Sequence, residues 1–414
     1  MATTSATRID ISTISPLVKA ASYAVRGRIV ARSAHLAEQL KKDPASLPFK
    51  KIVPCNIGNP HSLGQLPLSF SRDVLSLVLN PSLKSRAAFS EDVITRADNY
   101  LRGIPGVGAY TESQGILAVR QDVSQFLQER DGYASDPADI FLTNGASEGV
   151  KHVMQLLLRD PSTGFRDGLL IPIPQYPLYS ALTTLLQGEL LPYYLREETG
   201  WSCSVGEIRQ AIAQAKQQSI TPRALVVINP GNPTGQVLSK DNMKQIVSLC
   251  VEEGVCLMAD EVYQENIWKP DAKFTSFRKV AYEMGIKPSS GDLQMFSFHS
   301  ISKGFYGECG LRGGYLEIFG IPNEVKDELY KLASISLCSN TIGQIATGLM
   351  VQPPKTGEPS YSTYVKERDG ILQSMKRRAE LLNKELNSVE GMKCASSEGA
   401  MYAFPTIRLP RKCA

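Results

Sequence analysis

Ala224-Leu225-Val226-Val227-Ile228 runs without a polar interruption into Asn229-Pro230-Gly231-Asn232-Pro233-Thr234-Gly235. An apolar run of this length suits a strand covered on both faces, and the seven residues after it carry turn chemistry with an amide at its centre. The same pattern recurs along the chain. Ile140-Phe141-Leu142 gives way to Thr143-Asn144-Gly145-Ala146-Ser147-Glu148-Gly149, and the run from Leu169 to Ile173 leads to Gln175-Tyr176. Val255 to Ala259 leads to Asp260-Glu261-Val262-Tyr263, and Met295 to Phe298 leads to His299-Ser300-Ile301-Ser302-Lys303. Stretches with helical spacing, such as Val150, Val153, Met154, Leu157 and Leu158, separate several of the runs. Buried strands alternating with helices predict an α/β fold with a mainly parallel sheet. Ligands of such sheets sit outside the carboxyl ends of the strands. Polar residues delivered by every one of these runs to one rim therefore predict a single large, polar ligand.

Composition narrows the classes. The 414 residues are 43% hydrophobic and 21% charged, which describes a globular chain. Domains of about 150 residues would divide it into two or three units. Lys and Arg total 45 against 41 Asp and Glu, a net charge of +4, so neither a nucleic acid nor an anionic membrane is an expected partner. No apolar run approaches the ~18 residues of a membrane span. The eight cysteines contain no CxxC pair and read as reduced thiols, which makes a cytoplasmic location the expectation. The Ser/Thr-rich start, with Arg8 and then Arg26, Arg28 and Arg32, carries an alternative reading as a signal for mitochondria or another organelle. The plainer reading is a frayed tail over residues 1–15, leading into a helix over 16–43 on which Leu17, Ala21, Ala24, Val25, Arg28 and Ile29 recur. Four histidines, none in HxxxH or HExxH spacing, give no reason to expect a metal site.

The strand ends carry specific chemistry. Lys303, just past an apolar run, can serve as a nucleophile for carbonyls once partly desolvated. Arg312 lies among glycines in Cys309-Gly310-Leu311-Arg312-Gly313-Gly314-Tyr315, leaving room for a planar anion against the backbone. Ala146 and Ser147 open the helix of the Val150 stripe, whose free N–H groups and dipole favour an anion. Asp260 could hold a pyridinium nitrogen protonated. Tyr176 could stack on a planar ring, while Tyr263 and Asn232 could donate to a ring oxygen. Taken singly, each has a plainer role: a surface lysine, ordinary capping, packing or a turn amide. Taken together, a lysine nucleophile, an anion cradle, a carboxylate, an aromatic stacker and a phenol donor describe pyridoxal 5'-phosphate. No rival phosphate loop is present, since GxxxxGK[ST] is missing and Gly103-Ile104-Pro105-Gly106-Val107-Gly108 is not GxGxxG.

These motifs resemble the class I/II pyridoxal-phosphate aminotransferases. Within them, Tyr306-Gly307-Glu308-Cys309-Gly310-Leu311-Arg312-Gly313-Gly314-Tyr315, Pro174-Gln175-Tyr176-Pro177-Leu178-Tyr179, Gln264-Glu265-Asn266 and the Val25-Arg26-Gly27 neighbourhood are similar to alanine aminotransferases. The resemblance implies fold type I: a large domain with a seven-stranded, mostly parallel sheet flanked by helices, and a smaller α+β domain. It implies a flexible tail over 1–15, an N-terminal segment of the small domain over 16–90, a large cofactor domain over 91–335 and the rest of the small domain over 336–414. Lys303 would form the Schiff base and carry the proton between substrate Cα and cofactor. Asp260 would pair with the ring nitrogen, Asn232 and Tyr263 with the phenolic oxygen, and Tyr176 would stack on the ring. Ala146, Ser147, Ser300 and Arg312 would hold the phosphate. Tyr110 would serve the neighbouring subunit's phosphate in a homodimer, and Gly58 would lie in the substrate-side loop. The implied reaction is L-alanine with 2-oxoglutarate giving pyruvate and L-glutamate.

Family members extend past Gly399-Ala400-Met401-Tyr402-Ala403-Phe404-Pro405, a stretch that reads as a strand, by several tens of residues that include an arginine for the substrate α-carboxylate. Arg408 and Arg411 do not match that motif. The expectation is therefore an incomplete small domain with exposed apolar surface. Three alternatives stand beside alanine transamination: a glyoxylate- or aromatic-specific relative, a pyridoxal-phosphate-binding chain with little or no turnover, and a nucleotide-binding α/β protein.

Overall fold

A computed structural model describes residues 9–23, 25 and 27–409. Arg8, Ala24, Arg26 and Arg411 lie outside the described residues. The N-terminal part is helical: α1 (Pro16–Ala20), α2 (Arg28–Lys42), α3 (Ser69–Leu79), α4 (Glu91–Arg102) and α5 (Leu117–Asp131). Strands and helices then alternate through β1 (Ile140–Thr143), α6 (Ala146–Leu157), β2 (Asp167–Ile173), α7 (Leu178–Leu185), β3 (Glu189–Tyr194), α8 (Val205–Gln217) and β4 (Thr221–Ile228). They continue with α9 (Lys240–Glu253), β5 (Cys256–Asp260), α10 (Phe277–Glu283), β6 (Met295–Ser300) and β7 (Gly314–Phe319). The chain ends in α11 (Asn323–Ile335), α12 (Thr341–Val351), α13 (Tyr361–Ser388) and a two-stranded ribbon of β8 (Met392–Lys393) and β9 (Thr406–Ile407).

The sheet has seven strands in the order β1-β7-β6-β5-β4-β2-β3. Every strand but β7 runs the same way, because β7 is antiparallel to both β1 and β6. Each of the apolar runs in the sequence is a strand. Their lack of alternation has a direct cause: in β4, Ala224, Val226 and Ile228 pack toward α6 and α7, while Leu225 and Val227 pack toward α8 and α9. Burying one such side chain stabilises the fold by about 1.5–3 kcal/mol. A third apolar cluster joins α3, α4, α5 and α12 to β1.

Two strands escape the apolar-run criterion. In β3, an edge strand, only Leu191 and Tyr193 are buried, so it alternates and contains Pro192. In β7, a glycine start and Glu317 interrupt the apolar character, although every residue is buried. Glu317 tolerates this because Arg278 Nε lies 2.8 Å from its carboxylate, and Arg278 also reaches Asp131 at 3.3 Å.

The helix expected over 16–43 is broken. Ala21 turns extended after α1, and α2 starts afresh from Gly27. Between them the chain is pinned to the cleft: Tyr23 Oη lies 3.2 Å from Tyr176 Oη, and Asn56 Nδ2 donates to the Val25 carbonyl at 3.0 Å. These tertiary bonds override local propensity. The stretch from Gly399 to Pro405 is irregular rather than a strand, apart from one bridge between Ile267 and Gly399.

Arg278→Met leaves Glu317 buried without its partner and removes one of Asp131's two cationic partners, the other being Arg130 at 2.7 Å. We expect a loss of about 3–5 kcal/mol, read from urea denaturation midpoints.

Candidate active site

The ends of β1, β2, β4, β5 and β6 and the start of β7 open on one cleft of about 420 Å³. It is lined by Gly58, Ala146, Ser147, Tyr176, Asn232, Asp260, Tyr263, Ser300, Lys303 and Arg312, all singled out from the sequence. Tyr110 does not line it; this residue is 76% exposed.

One end of the cleft is built for an anion. Gly145 caps α6 with φ 81, a conformation that favours glycine, and a Cβ there would stand 2.6 Å from Arg312 Nη2. The guanidinium therefore lies directly against the backbone. It donates to the Asn144 carbonyl at 2.7 Å and the Cys309 carbonyl at 3.1 Å, and it lies 3.3 Å from Ser147 Oγ and 3.4 Å from Ser302 Oγ. Ser300 Oγ, at the end of β6, donates to Ser302 Oγ at 3.0 Å. A guanidinium, three hydroxyls and the first turn of α6 converge here, a donor set suited to a phosphate.

The middle of the cleft holds a carboxylate. Asp260 ends β5 and is 5% exposed. Burial pushes its carboxyl up to about 6, against the pull of the Tyr179 hydroxyl, the Val262 N–H and the charge of Lys303. Tyr179 Oη donates to it at 2.8 Å. With a second, longer bond from Val262 N at 3.4 Å, this buried acid accepts two hydrogen bonds and has acceptor capacity left for a cationic N–H. Tyr176 stands three residues before Tyr179 on the cleft side, and burial, then Tyr23, hold its phenol neutral.

Opposite lies the amine. Lys303 Nζ donates to the Gly58 carbonyl at 3.0 Å and stands 5.9 Å from the Tyr263 ring centre. A Cβ on Gly58 would come within 3.1 Å of this amine. Cys309 Sγ approaches the same carbonyl at 3.7 Å, and burial raises its thiol. The Tyr263 hydroxyl, held neutral by burial, donates to Tyr402 Oη at 2.9 Å. An amine, an anion cradle and a buried carboxylate around one cleft suit a phosphorylated, cationic, planar aldehyde.

Comparison with known proteins decides the family. Residues 80–412 match the family Aminotransferase class I and II. The chain belongs to this family. This aminotransferase is 50% identical to alanine aminotransferase 2 of Panicum miliaceum, over 98% of the chain and 84% of that protein. It is 48% identical to glutamate–glyoxylate aminotransferase 1 of Arabidopsis thaliana, over 97% of the chain and 82% of that protein. Among solved structures, an aminotransferase from Escherichia coli superposes with a TM-score of 0.74 at 25% identity, covering 97% of this chain and 83% of that one. The fold is that of the type I pyridoxal-phosphate enzymes, and pyridoxal 5'-phosphate is the family's cofactor. The arginine–hydroxyl cradle, the buried Asp260 and the cleft amine fit that group.

The structure adds three residues to those expected from the sequence. Ser302 stands out there only as a neighbour of Lys303, yet its hydroxyl joins the cradle. Tyr179 supports Asp260; its spacing of three from Tyr176 at a helix start is the available signal. Tyr402 comes from far along the chain and carries no local signal. Among the described residues, no group of three or more His, Cys, Asp or Glu is placed to hold a metal ion, and no helix is long and apolar enough to cross a membrane.

Asp260 links the cofactor-free fold to pH. Between its ordinary value of 3.8 and about 6, the folded chain keeps a proton that the unfolded chain has released. Stability of the cofactor-free protein therefore contains a contribution that falls as pH rises through that window. Asp260→Asn should remove a change on the order of 2–3 kcal/mol, measured as urea midpoints across the window.

Proposed function

We propose that this aminotransferase moves the amino group of L-alanine to 2-oxoglutarate, giving pyruvate and L-glutamate. The observation that carries the reading is the placement of Lys303 Nζ in one cleft with Asp260 and the Arg312 cradle. The naming of a 50% identical relative as an alanine aminotransferase supports the choice of amino acid. When bound, pyridoxal phosphate supplies an aldehyde that takes the amino group and a ring that accepts the electron pair left when the Cα proton departs.

The chain's own residues do the rest. Arg312, Ser147, Ser300 and the Ala146 N–H hold the phosphate and so fix the ring's position. Asp260, supported by Tyr179, keeps the ring nitrogen protonated. Tyr176, which lines the cleft, would cover one face of the ring and keep water from it. Asn232 and Tyr263 donate to the phenolic oxygen. Lys303 would hold the cofactor through its aldehyde carbon, and its Nζ, when free, would be the base that takes the substrate Cα proton and gives it back on the cofactor side. The Gly58 carbonyl, already bonded to Nζ, gives the freed amine a resting place on the substrate side. Arg312 is the one arginine among the described cleft-lining residues, and the cradle employs it.

A second keto acid belongs in the assay, because a 48% identical relative is named for glyoxylate. Tyr110, exposed in a single chain, is read as reaching the cofactor phosphate of a second copy, which makes the working form a homodimer. We place the protein in the cytoplasm: the seven described cysteines are all free, in keeping with a reducing compartment, while mitochondrial relatives keep an organelle open as the alternative.

The chain saturated with pyridoxal phosphate and given L-alanine without a keto acid should lose its visible cofactor band and release stoichiometric pyruvate. Lys303→Ala should abolish both. A stable band with no pyruvate would refute transamination of alanine by this chain. Tyr110→Phe should weaken cofactor binding at concentrations where sedimentation finds dimers and leave it unchanged where it finds monomers.

A further inference from the structure

Tyr402 meets the cleft from a segment remote in sequence from the other site residues. The Tyr263 and Tyr402 rings stand edge to face, 5.8 Å apart at 85°, with their hydroxyls 2.9 Å apart. This placement is enforced by main-chain bonds. Gly399 N donates to the Gly235 carbonyl at 2.8 Å, Ala400 N to the Asn266 carbonyl at 2.9 Å, and Trp268 Nε1 to the Ala400 carbonyl at 2.9 Å. Glu398 accepts from Val237 N at 3.1 Å and pairs with Lys269 at 2.5 Å, while Ser397 Oγ donates to the Tyr402 carbonyl at 2.9 Å. The segment thus ties the loop that carries Asn232 to the loop that carries Tyr263.

A neutral phenol has one proton to give and can also accept. Without cofactor, Tyr263 gives its proton to Tyr402. Once Tyr263 donates to the cofactor's ring oxygen, its own oxygen is free to accept, and the Tyr402 hydroxyl is already within bonding distance. Chained hydrogen bonds strengthen one another by about 10–30%.

We infer that Tyr402 is a positioning residue whose hydroxyl donates to Tyr263 and thereby reinforces the hydrogen bond from Tyr263 to the cofactor's phenolic oxygen. The inference rests on the cofactor placement proposed above and extends it to Tyr402, which lines the same cleft. A donor at the phenolic oxygen stabilises it as an anion, and so lowers the pH at which the bound cofactor loses its proton.

The test compares Tyr402→Phe, Tyr263→Phe and the double variant, each loaded with pyridoxal phosphate. It reads the pH midpoint of the visible band and, by fluorescence titration, cofactor affinity. Tyr263→Phe should raise the midpoint by about one pH unit or more. Tyr402→Phe should raise it by about 0.3 units, with weaker cofactor binding in the same rank order. The double variant should match Tyr263→Phe, because Tyr402 acts through Tyr263. Tyr402→Leu, which also lacks the hydroxyl, should move the midpoint in the same direction, and a melting curve for each variant establishes that it is folded. An unchanged midpoint in Tyr402→Phe beside a raised one in Tyr263→Phe overturns the relay alone, as does full additivity in the double variant. An unchanged midpoint in Tyr263→Phe overturns the cofactor placement itself.

Discussion

The pairing of Ser300 with Gly314 is the constraint on which the cleft depends. It joins the last residue of β6 to the first residue of β7, so that the intervening loop must leave and return at the same point of the rim. Lys303, Cys309 and Arg312 all ride on that loop. The close approach demands glycine: a Cβ on Gly314 would stand 2.5 Å from the His299 carbonyl and 3.2 Å from Ala146 N. Arg312 enters β7 with φ 52, a left-handed turn that directs its guanidinium across the start of α6. The reversed strand thereby delivers a cation to the rim from its beginning, whereas β1 and β6 on either side, which run the other way, deliver theirs from their ends.

Around this loop the site is assembled from distant parts of the chain. The Gly58 carbonyl anchors the amine, Tyr23 meets Tyr176, and Tyr402 meets Tyr263. Each contact crosses between the sheet and segments outside it. The sheet supplies rigid positions for the carboxylate and the cradle, and the outer segments supply the wall on the substrate side. A charged network beneath the rim, in which Arg278 holds Asp131 and Glu317, stabilises the strands that carry both. Its members leave few alternatives for packing, because removing any one leaves a buried charge behind.

Much of this is legible in the sequence, and the rest is not for identifiable reasons. Strands buried on both faces announce themselves, as Ala224–Ile228 does, because burial forbids polar residues on either side. The edge strand Glu189–Tyr194 carries a weaker signal, since only alternate residues meet the core. Gly314–Phe319 hides a charge whose partner, Arg278, lies on another element. The cleft residues that come directly after strands can be read from position alone. Tyr179 and Tyr402 cannot, because their roles arise from contacts across 81 and 139 positions respectively. The helix expected over 16–43 breaks after Ala20 for a similar reason: Tyr23 meets Tyr176 and the Val25 carbonyl accepts from Asn56, and neither contact is local.

The reversed strand also sets the order in which the protein can be completed during its synthesis. β1 lies at the sheet edge and has β7 as its one neighbour, with Ile140 opposite Glu317. A ribosome that has made β1 through β6 still holds a chain whose first strand has no partner and whose cleft has no arginine. Loop-closure entropy for so distant a pairing slows its formation. Until β7 emerges, Phe141 and Leu142 belong to an unpaired edge, the kind of surface that other chains can extend. The final strand of the large sheet thus completes at one stroke the edge, the anion cradle and the protection of the nascent chain.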